Sequence, residues 1–418
     1  MTNFKKQIFS VVTAGVMVAN IATPAFATTI EISGNGAGAD SNVAVQNTNT
    51  TTVSQNNTAN VTNTVKTNAD TGDNKANYNT GGNVGIQTGD AKVNATVAND
   101  LNKNIANVDC CGASNTEVKI SGNGAKSNNG VGLTNVNATT VAQNNTANVD
   151  NNVDVDAETG DNKAGLNTGG DVVIKTGNAK VNVDVSTLAN VNSAQVGGGM
   201  SATPTPQASF TIVGNGAGSD NEILASMTNA TSVAQNNNAD IDNEVDVDAE
   251  TGDNDANFNT GGDVVILTGN SDVEVGVDNS VNFNFADVDC GCEFDVTAKI
   301  AGNGADTDHK WWDKDDNYIG LNLANVQAVG QNNGAYLDNN VDVDDAETGD
   351  NEAGYNTGSV DHETDPAIVT GNAKSSTSVS NSGNVNSVGS LPFDMPEMPE
   401  VDFSFNFAAL WAFLGMSN

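Results

Sequence analysis

The chain has 418 residues, a net charge of −37 and 15 basic residues, every one of them lysine. Such a surface repels phosphate backbones, which excludes nucleic acid as a partner, and without arginine there is no bidentate fork for phosphate or carboxylate substrates. Aromatic residues make up 5% and Gly contributes 43 positions, so any core must be a thin one of Val, Ile and Ala rather than a broad one of Leu and Phe.

The chain opens with a basic pair, Lys5 and Lys6, then an apolar stretch from Ile8 to Ile21, then the small-x-small triplet Ala25-Phe26-Ala27. This is the pattern of a removable secretory signal over residues 1–27. The expectation is a mature chain that is secreted, extracellular or held at the surface of a bacterial envelope.

Four units follow. Each begins with Gly-Asn-Gly-Ala, at Gly34, Gly122, Gly214 and Gly302, starts that lie 88, 92 and 88 residues apart. Within each unit the same landmarks recur: Gln-Asn-Asn at Gln55, Gln143, Gln235 and Gln331; Thr-Gly-Asp-Asn at Thr71, Thr159, Thr251 and Thr348; Asn-Thr-Gly at Asn79, Asn167, Asn259 and Asn356; and a last Thr-Gly at Thr88, Thr176, Thr268 and Thr370. Internal repetition of this kind marks stacked architectures. The boundaries it sets are repeat 1 at 28–112, repeat 2 at 113–196, a Gly/Pro linker at 197–208, repeat 3 at 209–293 and repeat 4 at 294–388. A Pro/Met-rich segment and apolar tail occupy 389–418.

The landmarks divide each unit into smaller beats of 16 to 22 residues. Each beat has a polar turn of Gly, Asn and Asp, and then an alternating run such as Val153-Asp154-Val155-Asp156-Ala157. Strict alternation is the signature of a half-buried strand, and Gly and Asn suit the positive φ of tight turns. The fold expected is all-β, a repetitive β-solenoid in which like residues sit one above another and stacked Asn and Thr side chains bond along a ladder. Tandem β-sandwich-like repeats of about 90 residues are the alternative.

Candidate chemistry is sparse. Calcium is the one cofactor suggested. Gly36-Ala37-Gly38-Ala39-Asp40 and Gly216-Ala217-Gly218-Ser219-Asp220 match part of the core of calcium-binding nonapeptide repeats, which puts Asp40 and Asp220 forward as ligands. Asp313 and Asp315, in the insertion DTDHKWWDKDDNY of repeat 4, supply the same hard oxygens. The bland alternative for all these carboxylates is a solvated acidic face. Trp311 and Trp312, in that same insertion, are candidate contacts for a sugar or protein partner, or covers for a strand edge. Cys110, Cys111, Cys290 and Cys292 lack zinc spacing and read as disulfide candidates, with three pairings open. No catalytic set emerges: His309 and His362 both fall in insertions of repeat 4, and no nucleophile or phosphate-loop motif is present. The chain does not read as an enzyme.

The segments Gln55-Asn56-Asn57-Thr58-Ala59-Asn60 and Gly160-Asp161-Asn162-Lys163-Ala164 give the repeat region, about residues 30 to 388, a resemblance to bacterial curlin repeats and to other secreted surface repeat proteins rich in Asn, Thr and Gly. The curlin spacing of Gln and Asn is not kept, and the units are far longer. The resemblance implies a non-enzymatic surface structure. Taken together, the expectation is an extracellular structural or adhesive repeat protein, in fibres or singly, with a calcium-dependent binding module as the alternative. Its partners would be further copies of itself or a cell-surface component, with membrane contact only through the C-terminal tail.

Overall fold

Alternating sequence of this kind has one economical way to bury its inward residues, which is to pair each strand with its own repeat. The computed structural model describes residues 4–21, 28–108, 116–197, 207–289, 295–305, 317–358 and 367–389. Strand β1 (Phe4–Ile21) precedes the first coil, which holds β2 (Thr28–Ser33), β3 (Asp40–Asp70), β4 (Val84–Gln87) and β5 (Ala91–Val108). The second coil repeats this as β6 (Thr116–Ser121), β7 (Asn128–Glu158), β8 (Val172–Lys175) and β9 (Ala179–Gly197). The third holds β10 (Gln207–Val213), β11 (Asp220–Glu250), β12 (Val264–Leu267) and β13 (Ser271–Asp289). The fourth holds β14 (Asp295–Ala301), β15 (Tyr318–Glu347), β16 (Ala367–Val369) and β17 (Ala373–Val388).

Every pairing is parallel and joins like positions of successive units, in the sheet orders β14-β10-β6-β2, β15-β11-β7-β3, β16-β12-β8-β4 and β1-β5-β9-β13-β17. Val61 thus pairs with Val149, Val149 with Ile241 and Ile241 with Leu337. The fold is a repetitive, solenoid-like stack of parallel strands. Its coil is the whole unit, not the shorter beat of 16 to 22 residues. No turn falls at Gln-Asn-Asn: the alternation runs straight through it, so β3, β7 and β11 are each 31 residues long.

The long strands form one layer. The 18- and 19-residue strands β5, β9 and β13 run back over it, and the six- and seven-residue strands β6 and β10 cover its other end. Val118, Ile120 and Phe210 pack on Val131, Leu133 and Ile223 at that end, while Val181 and Val183 pack on Val153 and Val155 at the opposite one. A full burial of each such side chain contributes roughly 1.5–3 kcal/mol. A 31-residue strand at about 3.3 Å per residue reaches about 100 Å, and four rungs about 4.8 Å apart occupy under about 20 Å. The described stack is therefore a slab, far wider than it is tall.

Two irregularities have local causes. The extra Asp of the fourth unit is absorbed as a bulge, with register slipping between Val247 and Asp248 so that Asp248 pairs with Asp345. At the Gly/Pro-rich linker, β9 runs to Gly197 and β10 starts at Gln207, and residues 198–206 lie outside the described residues. The stack continues across this point, because β10 pairs with β6 on one side and β14 on the other.

Candidate functional site

In the middle of the slab a band of buried amides lies between two apolar clusters, one around Val141 and Val233 and one around Val149 and Ile241. Gln143, Asn145, Asn190 and Asn192 are buried, as are Gln235, Asn237, Asn282 and Asn284. Buried amides are costly unless bonded, and here they bond along the stack. The chain Asn57→Asn104→Asn145→Asn192→Asn237→Asn284→Asn333→Asn386 runs through all four coils, each Nδ2 donating to the next Oδ1 at 2.8–3.0 Å. A second column, Asn102→Asn190→Asn282→Asn384, has 3.0 Å links in the same direction. These four asparagines hold φ of 56–65°, a left-handed conformation that Asn tolerates better than most residues. The glutamines run the other way, Gln331→Gln235→Gln143→Gln55, at 2.7–2.8 Å.

Outside the core, the acidic residues also stack. Asp154, Asp246 and Asp342 form one row, and Glu158, Glu250 and Glu347 another. Burial, reinforced by the Asp253 and Glu158 carboxylates, pushes Glu250 up to about 8. Burial with Asp70 and Asp161 pushes Glu158 up to about 7, and burial with Asp345 and Asp156 pushes Asp248 up to about 6. Folding thus favours the protonated form of each group. The stability this contributes is complete below about pH 4.5, the ordinary Glu value, and is lost as pH rises through about 8. The melting temperature should fall by several degrees across that window, and Glu250→Gln should flatten the profile; a profile already flat in the parent protein would refute the assignment.

The first coil continues the Glu158 row with Asp70 but breaks the other. Lys66 stands where the other coils carry Asp154, Asp246 and Asp342, and its Nζ lies 2.8 Å from Asp154 Oδ2. Thr62, Thr64 and Asn68 take the neighbouring outward positions.

Of the calcium candidates, Asp40 and Asp220 sit at the first positions of β3 and β11, in one row but with Asn128 of β7 between them. They are not brought together, and among the described residues no group of three or more His, Cys, Asp or Glu is placed to hold a metal ion. Asp313, Asp315, Trp311, Trp312, the cysteines Cys110, Cys111, Cys290 and Cys292, the two histidines and the C-terminal tail lie outside the described residues.

One surface feature was missed at the level of sequence. Tyr78, Leu166, Phe258 and Tyr355 form an exposed column at one corner of the slab, each with φ between 52° and 61°. Phe258 and Tyr355 stack at 4.9 Å between ring centroids. A large side chain in the left-handed region is strained by about 1–2 kcal/mol, so these positions keep apolar groups in water at a cost. The signal was available: each residue immediately precedes an Asn-Thr-Gly landmark. Comparison with known proteins gives no match, whether to family models, to curated proteins or to solved structures.

Proposed function

We propose that this chain is a non-enzymatic structural or adhesive component of a bacterial cell surface, exported by its N-terminal segment. The observation that carries this reading is the fate of the repeated polar residues. Asn and Gln side chains that could hydrogen-bond a ligand are instead bonded to one another from strand to strand and coil to coil, as in the eight-residue amide chain above. The carboxylates follow the same rule, being rows of repeated positions rather than one unlike pair. The exposed column of Tyr78, Leu166, Phe258 and Tyr355 offers a regular apolar contact face, which suits adhesion.

The test is location. In a bacterial host that makes the full chain, antibody should label intact cells, external protease should remove the label, and the recovered protein should begin at Thr28. A chain that stays inside the cell with residues 1–27 attached would overturn the proposal.

A further inference from the structure

Strand β1 occupies a place that belongs, by register, to another coil. It pairs with β5 in the way that β5 pairs with β9, Phe4 facing Ala91 as Ala91 faces Ala179. It therefore takes the place of a return strand, and among the described residues no counterparts of β2, β3 and β4 stand beside it. Among the described residues, β2, β3 and β4 have open edges on this face, and β14, β15, β16 and β17 have them on the far face. Open edges of this length are templates for further pairing.

The fit of β1 is incomplete. At the positions where the four coils carry asparagine it supplies Gly15, opposite Asn102, and Met17, opposite Asn104. Asn102 is fully buried, yet its Oδ1 has no hydrogen-bond partner, although Asn190, Asn282 and Asn384 each receive a bond from the coil before. Gln55 likewise donates to the Met17 carbonyl, where every later glutamine donates to another glutamine.

The far face holds the complementary groups. Asn384 ends its column with Nδ2 pointing onward, and Gln331 ends the opposed column with Oε1 facing out. Asp342 ends the acidic row that Lys66 begins, and Tyr355 ends the apolar column that Tyr78 begins; these two tyrosines are 78% and 76% exposed. The end coils also differ in charge: residues 28–108 carry six acidic and four basic residues, whereas 295–389 carry sixteen and four. Unlike faces are thus far less repulsive than two fourth-coil faces would be.

We infer that β1 is a removable plug and that, once residues 1–27 leave, the first coil accepts the fourth coil of a second copy of this chain. Asn384 of one copy then donates to the buried Asn102 Oδ1 of the next, Gln55 donates to Gln331, Lys66 sits between Asp154 and the incoming Asp342, and Tyr355 stacks on Tyr78. Because this contact joins two different surfaces by translation along the stack, it repeats without closing and yields a filament. The inference rests on the reading of residues 1–27 as a removable leader, but its test does not depend on where the protein is found in the cell.

The full chain, made without export, should remain monomeric in sedimentation and show no filaments by electron microscopy. Gly15→Val in that chain should release the plug, because Gly15 has φ of +73° and a Cβ there would fall 2.6 Å from Asn102 Oδ1; filaments with a strand spacing of about 4.8 Å along the axis are then expected. If this variant is misfolded by circular dichroism, the chain beginning at Thr28 takes its place. Adding Lys66→Glu should raise the concentration needed for assembly several-fold, and adding Asp342→Lys to that should restore it. A folded, unplugged chain that stays monomeric up to its solubility limit overturns the inference, as does a wild-type full chain that assembles equally well, or a Lys66→Glu defect that Asp342→Lys does not rescue.

Discussion

Asn192→Ala should destabilise the protein by roughly 3 kcal/mol or more, a large effect for removing one polar side chain. Asn192 is fully buried. Its Oδ1 accepts from Asn104 Nδ2 at 3.0 Å and from Asn145 Nδ2 at 2.9 Å, and its Nδ2 donates to Asn237 Oδ1 at 2.8 Å and Asn284 Oδ1 at 3.0 Å. Truncation leaves two donors without that acceptor and two acceptors without that donor, in a place closed to water. Each buried group so orphaned costs about 1–3 kcal/mol, and partial rescue by the surviving bonds sets the total below the simple sum. Asn148→Ala is the control: it lies on β7, in the layer that faces Asn192, but is exposed to solvent, so its effect should stay within about 0.5 kcal/mol. Chemical denaturation of the two variants compares them directly, and equal stabilities would show that the amide columns are incidental.

The second large effect is steric. Gly160 and Gly252 belong to the Thr-Gly-Asp-Asn corners, where the backbone of the next coil leaves no room for a Cβ. A Cβ added at Gly160 would land inside contact distance of the Gly252 carbonyl oxygen, and one at Gly252 would meet the Gly349 Cα. The obstructing atoms are backbone, which cannot rotate away as a side chain can. Gly160→Ala should therefore push two coils apart locally and cost roughly 1–3 kcal/mol or more. Gly132→Ala on β7 has open space around the added Cβ and should be close to neutral. If both alanines were tolerated alike, close approach of the backbones would not be what holds glycine at these corners.

The unit repeat, the all-β class and the alternation were legible because each leaves a local trace: period-two patterning, and turn residues at fixed offsets. The size of the coil was not. Gln55 and Asn57 are inward on β3 and Asn56 outward, yet all three look alike to any reading that takes polar residues as surface. Only the return strand of the same coil, 47 residues away for Asn57, and the next coil, 88 residues away for Gln55, reveal that an inward amide is satisfied. The acidic stretch from Val153 was legible as a scaffold position once its copies were aligned, but the interruption by Lys66 gained meaning only when the rows were seen to be stacked. The exposed column of Tyr78 and its counterparts stayed hidden for the opposite reason: a single apolar residue inside a turn gives no periodic signal.

The coil length also decides how this chain can reach its native state. Each strand pairing between the four coils joins residues that lie between 88 and 102 positions apart, so almost nothing can form by local collapse. The equilibrium penalty is mild: closing a loop of about 90 residues rather than about 20 costs only about 1.3 kcal/mol more, since the term grows with the logarithm of length. The kinetic penalty is not, because non-local pairing of parallel strands has to be found before any ladder bond rewards it. The first pairing of two coils is the slow event, and every later coil settles on a template already made. A chain of this design folds the way a crystal grows, with a reluctant nucleus and a quick front.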